Sequence, residues 1–182
     1  MAEADICRVI EAFEFCHVRW ALVGTYAIGL VTEPRATPDF DFIVETAGLA
    51  SVVRRLRKEF GELGETDMGV EIQLKAIDVD LIGASNHPLF HAAVEQVRTV
   101  GDWKVPRTEV LIILKFMAAR SVRRDRHRRA QDLGDLCCVY EVGRRDLDRT
   151  AMIELSRLVY PGAEREFGEL LDKIDRGEPI AI

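Results

Sequence analysis

The sequence predicts an α+β fold: a mixed sheet with helices packed on it, followed by a helical C-terminal part. Three observations carry this. Apolar residues recur at helical spacing in the first segment, several short runs then alternate as strands do, and from Thr108 onward only helical spacing remains. With 182 residues, 48% hydrophobic and 31% charged, the chain has the size and balance of a globular domain with a helical appendage. The expected division is a core over 1–106, including the N-terminal helix, and a helical region over 107–182.

The elements follow in order. From Asp5 to Cys16, Ile6, Val9, Ile10 and Phe13 fall three and four residues apart, the stripe of an amphipathic helix. Arg19 to Gly24 (RWALVG) reads as a short buried strand, and TYAIGLVTE as a helix that starts where glycine permits a tight turn and stops at Pro34. Phe40 to Glu45 alternates Phe40, Phe42 and Val44 against Asp41, Ile43 and Glu45, so Asp39 and Asp41 share a strand face. Leu49 to Phe60 is helical by spacing, with Gly61 and Gly64 at its exit. MGVEIQLKAI alternates Met68, Val70, Ile72 and Leu74 against Glu71, Gln73 and Lys75, and IDVDLIG alternates Asp78 and Asp80 with Val79 and Leu81. VRTVGDWKVP places Gly101-Asp102 between two extended runs, as a hairpin would. Up to four helical segments close the chain, with Pro161-Gly162 the clearest break.

A net charge of −6 disfavours broad, non-specific attraction to nucleic acid, which rewards a surplus of Lys and Arg. One local exception is the run from Arg120 to Arg129, which holds Arg120, Arg123, Arg124, Arg126, Arg128 and Arg129. No apolar run reaches the roughly 18 residues that cross a bilayer, and the first residues mix acids into apolar positions, unlike a signal peptide, so a cytoplasmic protein without membrane contact is expected. Cys7, Cys16, Cys137 and Cys138 lack zinc-ribbon spacing and are expected to be buried, reduced thiols.

Two D-x-D pairs, Asp39-Phe40-Asp41 and Asp78-Val79-Asp80, each sit in an apolar strand. Burying unpaired carboxylates is costly, so such pairs call for a cation. Phosphoryl-group chemistry needs charge neutralised at phosphorus, and two divalent ions about 4 Å apart clamp the attacking and leaving oxygens. Magnesium takes oxygen ligands and keeps waters and substrate phosphates as the others, so two or three aspartates suffice. Asp80, followed by Leu81 and Ile82, is the choice for a third acid beside Asp39 and Asp41. Gly24-Thr25, where a strand meets a helix, offers backbone N–H groups to phosphate oxygens, and Thr25 adds a hydroxyl.

Taken together, ALVGTYAIGLVTEPRATPDFDFIVE resembles the core motif of the nucleotidyltransferase (polymerase-beta-like) superfamily, and within it the minimal and abortive-infection-toxin-type enzymes. The matching positions are Gly24-Thr25, then Arg35, Thr37, Asp39 and Asp41, then Asp80 in Val79-Asp80-Leu81. Downstream, VLIILKFMAARSVRRDRHRRAQDLGDL resembles that family's helical segment, with Lys115, Arg129, Asp132 and Asp135 on it. The likeness spans about Trp20 to Leu136. It departs at Thr25-Tyr26, where a second small residue is usual, and at Gln131, where a lysine is usual. The resemblance implies a nucleotidyltransferase-fold sheet and transfer of a nucleoside monophosphate from a nucleoside triphosphate to a hydroxyl on tRNA, protein or a small molecule, with two Mg2+ ions. It implies Asp39, Asp41 and Asp80 as catalytic metal ligands, and Gly24, Thr25, Arg35, Thr37 and Lys115 as nucleotide-binding residues. An antitoxin partner or a homo-oligomer fits the same family setting.

Other features carry two readings. The Arg120–Arg129 cluster either steers a triphosphate or RNA acceptor, or is a solvated helix face paired with Asp125, Asp132 and Asp135. Lys115 either meets the nucleotide or snorkels from an amphipathic helix. His87 and His91 are four apart, as metal ligands on one helix face would be, but Pro88 lies between them. Trp20 and Trp103 read as core or sheet-covering aromatics. The rival function is a non-catalytic nucleotide-binding or antitoxin-like module of the same fold.

Overall fold

The computed structural model describes residues 3–34, 37 and 39–180. The chain divides into two compact units, Met1–Leu30 with Pro34–Pro106, and Val31–Glu33 with Arg107–Ile182.

In the first unit the order is α1 (Glu3–Phe15), β1 (Trp20–Val23), α2 (Gly24–Gly29), β2 (Phe40–Val44), α3 (Leu49–Phe60), β3 (Glu65–Asp67), β4 (Glu71–Leu74), β5 (Val79–Gly83), α4 (Pro88–Glu95), β6 (Val97–Val100) and β7 (Trp103–Pro106). Five strands form one sheet in the order β1-β2-β5-β4-β3. Only β2 and β5 run parallel; the other neighbours are antiparallel, so the sheet is mixed. The pair β6–β7 forms a separate hairpin, turned at Gly101 with φ 59°.

The core grows from the predicted alternation. Phe42 on β2, Trp20 on β1 and Phe13 on α1 are buried and meet with ring centroids 5.0–5.8 Å apart. Burying three such rings anchors α1 to this face, because each buried aromatic contributes several kcal/mol at about 25 cal/mol per Å². Trp20 also donates its indole N–H to Glu14 (2.9 Å), which Lys104 grips at 2.6 Å.

Three local expectations are corrected. The helix read as far as Pro34 stops at Gly29, where glycine and then β-branched Val31 and Thr32 weaken helix propensity. Strand β3 was not expected, because Glu65-Thr66-Asp67 has no apolar alternation; pairing with β4 and the Arg57–Glu65 salt bridge (2.6 Å) hold it. Helix α4 is also added, with Pro88 at its start and the His87 ring nitrogen accepting from the Leu89 N–H (3.1 Å).

The second unit holds α5 (Thr108–Arg120), α6 (Arg126–Gly143), α7 (Arg149–Ser156) and α8 (Ala163–Arg176). Gly162, at φ 89°, precedes α8 as the predicted break. Phe116 and Phe167 pack edge to face at 5.1 Å in its core. Among the described residues no helix is long and apolar enough to cross a membrane. The four thiols are free, but Cys7 and Cys138 are exposed and Cys16 and Cys137 half-buried, against the expectation of burial. Cys7 lies beside the Ile6-Val9-Phe13 stripe of α1 and not on it.

Candidate active site

Strand register assembles the carboxylates. Asp41 on β2 lies directly opposite Asp80 on the parallel strand β5, so both side chains leave the same face. Val23, the last residue of β1, pairs with Asp41 from the other side. The next residue is Gly24, at φ 68°, and a Cβ built there would lie 1.8 Å from Asp41 Oδ2. Only glycine permits that approach, by both its positive φ and its missing side chain. Asp41 is therefore packed directly against the turn that opens α2.

Asp39 lies one residue ahead of β2. Thr37 donates its hydroxyl to Asp39 Oδ1 at 2.7 Å, which orients the carboxylate. Asp80 is half-buried. Desolvation first, then the charges of Glu71 and Asp39, raise its carboxyl from 3.8 to about 6. Asp80 thus feels the charge of Asp39 while standing level with Asp41. Asp78 is placed differently: at φ 48° it is left-handed and precedes β5, and its carbonyl accepts the Phe40 N–H at 2.9 Å.

Glu71 on β4 is a charge felt by Asp80 that sequence reasoning missed. It accepts from the Gln73 side chain at 3.1 Å, and Gln73 is the register partner of Asp80. The alternation of Glu71 and Gln73 was visible, but only the β4–β5 register connects them to Asp80.

The remaining sequence-predicted residues fall elsewhere. Arg35 lies outside the described residues. Tyr26, after Thr25, turns its ring to Phe40 (4.5 Å) and Trp103 (5.1 Å), forming a half-buried aromatic cluster. Lys115, on α5 of the second unit, is 8% exposed and is not a snorkelling surface lysine. Its ammonium lies 3.0 Å from Asp132 and 2.8 Å from Asp135, and Arg124 reaches the other Asp132 oxygen at 3.1 Å. His87 caps α4 and His91 pairs with Glu95 at 3.3 Å, and among the described residues neither belongs to a group of three potential metal ligands.

Among the described residues no three His, Cys, Asp or Glu side chains form a ready-made metal cluster. The donors at the site are nonetheless carboxylate oxygens, the type magnesium selects, and magnesium is usually held by one or two carboxylates with substrate phosphates and water. Asp39, Asp41 and Asp80 carry donors of that type.

No protein-family model matches the chain and no curated protein does. Solved structures share its fold. The antibiotic-resistance factor ANT(2'')-Ia superposes with a TM-score of 0.55 at 12% identity, over 96% of this chain and 97% of that one. An antigenic nucleotidyltransferase-like protein from Paracoccidioides brasiliensis superposes with a TM-score of 0.55 at 13% identity, over 95% of this chain and 92% of that one. The chain has the nucleotidyltransferase fold.

Proposed function

We propose that this chain is a magnesium-dependent nucleotidyltransferase that moves a nucleoside monophosphate from a nucleoside triphosphate to an acceptor hydroxyl. The observation that carries it is the in-register pair Asp41 and Asp80, flanked by Asp39 and packed against Gly24. Three neighbouring carboxylates beside a glycine turn make a poor surface feature and a good cation seat. The core over 1–106 supplies this chemistry and the helical region 107–182 supports it.

In this reading Asp39, Asp41 and Asp80 would hold the cation, which would supply charge neutralisation for the triphosphate. Thr37 keeps Asp39 turned toward the site through its 2.7 Å hydrogen bond. Gly24 and Thr25 cradle the phosphates and Arg35 meets the nucleotide, while Lys115 is held in the helical unit by Asp132 and Asp135. The acceptor oxygen bonds to the α-phosphorus as the bond to the β-phosphate oxygen breaks, and pyrophosphate leaves. The acceptor proton passes to Asp80, the carboxylate level with Asp41 across the parallel strand pair.

The motif's likeness to abortive-infection toxins makes tRNA and protein hydroxyls the first acceptors to test, and the shared fold of an antibiotic-resistance factor adds small molecules. Each α-phosphate-labelled triphosphate is incubated with magnesium and cell RNA, cell protein or a panel of hydroxylated antibiotics. Label is expected in one acceptor class with wild type and not with Asp41→Asn. Triphosphate binding without transfer to any acceptor would instead support a non-catalytic nucleotide-binding module.

A further inference from the structure

We propose that the corner between α5 and α6 binds the phosphate backbone of nucleic acid. Residues 120–129 hold six arginines against the single acid Asp125, a net +5, in a chain whose net charge is −6. The rest of the chain therefore carries eleven more acids than bases. Net positive charge is densest in this ten-residue corner.

The structure divides these arginines by task. Arg120 pairs with Glu166 at 2.5 Å and Arg124 with Asp132 at 3.1 Å, so both are engaged within the helical unit. Arg128 approaches Asp125 only at 3.9 Å and is exposed. Arg123 and Arg126 are exposed and have no ion pair among the described residues. Arg129 is half-buried, and its Nε lacks a hydrogen-bond partner among the described residues. The reading of this segment as a solvated face neutralised by Asp125, Asp132 and Asp135 thus accounts for Arg124 and part of Arg128, and leaves three arginines uncompensated.

Their placement costs stability without a partner. Arg126 and Arg128 occupy the first turn of α6, where the helix already presents its positive end and cationic side chains are unfavourable. Asp125 caps the helix by accepting the Arg128 N–H at 2.8 Å, but one carboxylate does not balance the group. A polyanion offsets this repulsion across several arginines at once. All six cations are arginine, whose planar fork matches phosphate oxygens in pairs. A membrane surface fits less well: α6 buries Leu133, Leu136, Val139 and Tyr140, its exposed Val142 lies at the opposite end of the helix, and among the described residues only Val122, 93% exposed, offers a large apolar side chain at the corner. The proposal stands on the helical unit alone and does not depend on the transfer reaction.

The test is fluorescence anisotropy of the full chain with single-stranded RNA and DNA 20-mers of one sequence, across a salt series. Vesicles of phosphatidylcholine with phosphatidylglycerol run alongside. Both oligonucleotides are expected to bind at low salt. Arg123→Gln/Arg126→Gln should weaken binding by about tenfold and flatten the salt dependence of log K by roughly 1.4, since each lost single-strand phosphate contact removes about 0.7. Arg123→Lys/Arg126→Lys should restore most of the slope. No binding by wild type, equal binding by the glutamine variant, or binding to vesicles that oligonucleotides do not compete away would each overturn the proposal. Magnesium-dependent stabilisation by triphosphate, read by thermal shift on the same variants, should stay unchanged. Its absence in wild type would count against the transferase reading and leave the oligonucleotide result standing.

Discussion

At Gly24 the backbone and a carboxylate compete for the same space. Alanine there would bring a Cβ to 1.8 Å from Asp41 Oδ2 and force a left-handed φ of 68° on a residue that resists it. Gly24→Ala is expected to lower stability by about 1–3 kcal/mol in urea unfolding and to abolish magnesium-dependent triphosphate binding. Asp80 makes a second residue-scale prediction. Its carboxyl is raised from 3.8 to about 6, so the folded state binds this proton more tightly than the unfolded chain does. The group then weakens the fold as pH rises from about 4 through 6, and the full penalty is present above that window. Asp80→Asn should therefore raise the melting temperature of the cation-free protein at neutral pH, an advantage that fades below about pH 4, while transfer is lost. Equal melting temperatures at neutral pH would contradict this account of Asp80. Little of this residue detail was legible beforehand: the D-x-D spacing marks the acids, but the packing of Asp41 on Gly24 and the charge of Glu71 follow from register.

Between elements, register is the decisive quantity. A slip of one residue between β2 and β5 would turn Asp80 to the opposite face and bring Val79 or Leu81 beside Asp41. The sequence shows two apolar strands each carrying D-x-D, and it does not say which aspartate of the second pair comes level with Asp41. Asp78 drops out because its left-handed backbone ends the preceding turn instead of continuing the strand. In the helical unit, α5 and α6 are joined by a buried ionic cluster. Lys115, Asp132 and Asp135 are 8%, 3% and 8% exposed, so removing the lysine strands two carboxylates in a low-dielectric setting. Lys115→Met should cost about 3–5 kcal/mol in urea unfolding, whereas Lys115→Met/Asp132→Leu/Asp135→Leu should recover most of it. If the single and triple variants are equally unstable, the cluster contributes through packing and not through charge.

For the whole molecule, the mixed sheet with packed helices and the all-helical C-terminal region were readable because each rests on periodicity, which is local. Strand order β1-β2-β5-β4-β3 was not readable, since pairing of β2 with β5 joins residues about forty positions apart and depends on the complete core. Edge strand β3 and helix α4 were missed for a related reason: weakly patterned segments take their structure from neighbours. The arginine corner was visible as composition, yet which arginines are paired inside the fold and which face solvent is a three-dimensional fact. The proposed function requires Asp39, Asp41 and Asp80 to act together as a seat for a cation carried by a nucleoside triphosphate. Thermal shift with each of the four triphosphates, with and without magnesium, on wild type and on Asp39→Ala/Asp41→Ala decides whether they do. Wild type is expected to be stabilised by at least one triphosphate only when magnesium is present, and the double variant by none; stabilisation that is independent of magnesium, or equal in both proteins, would rule out the cation seat.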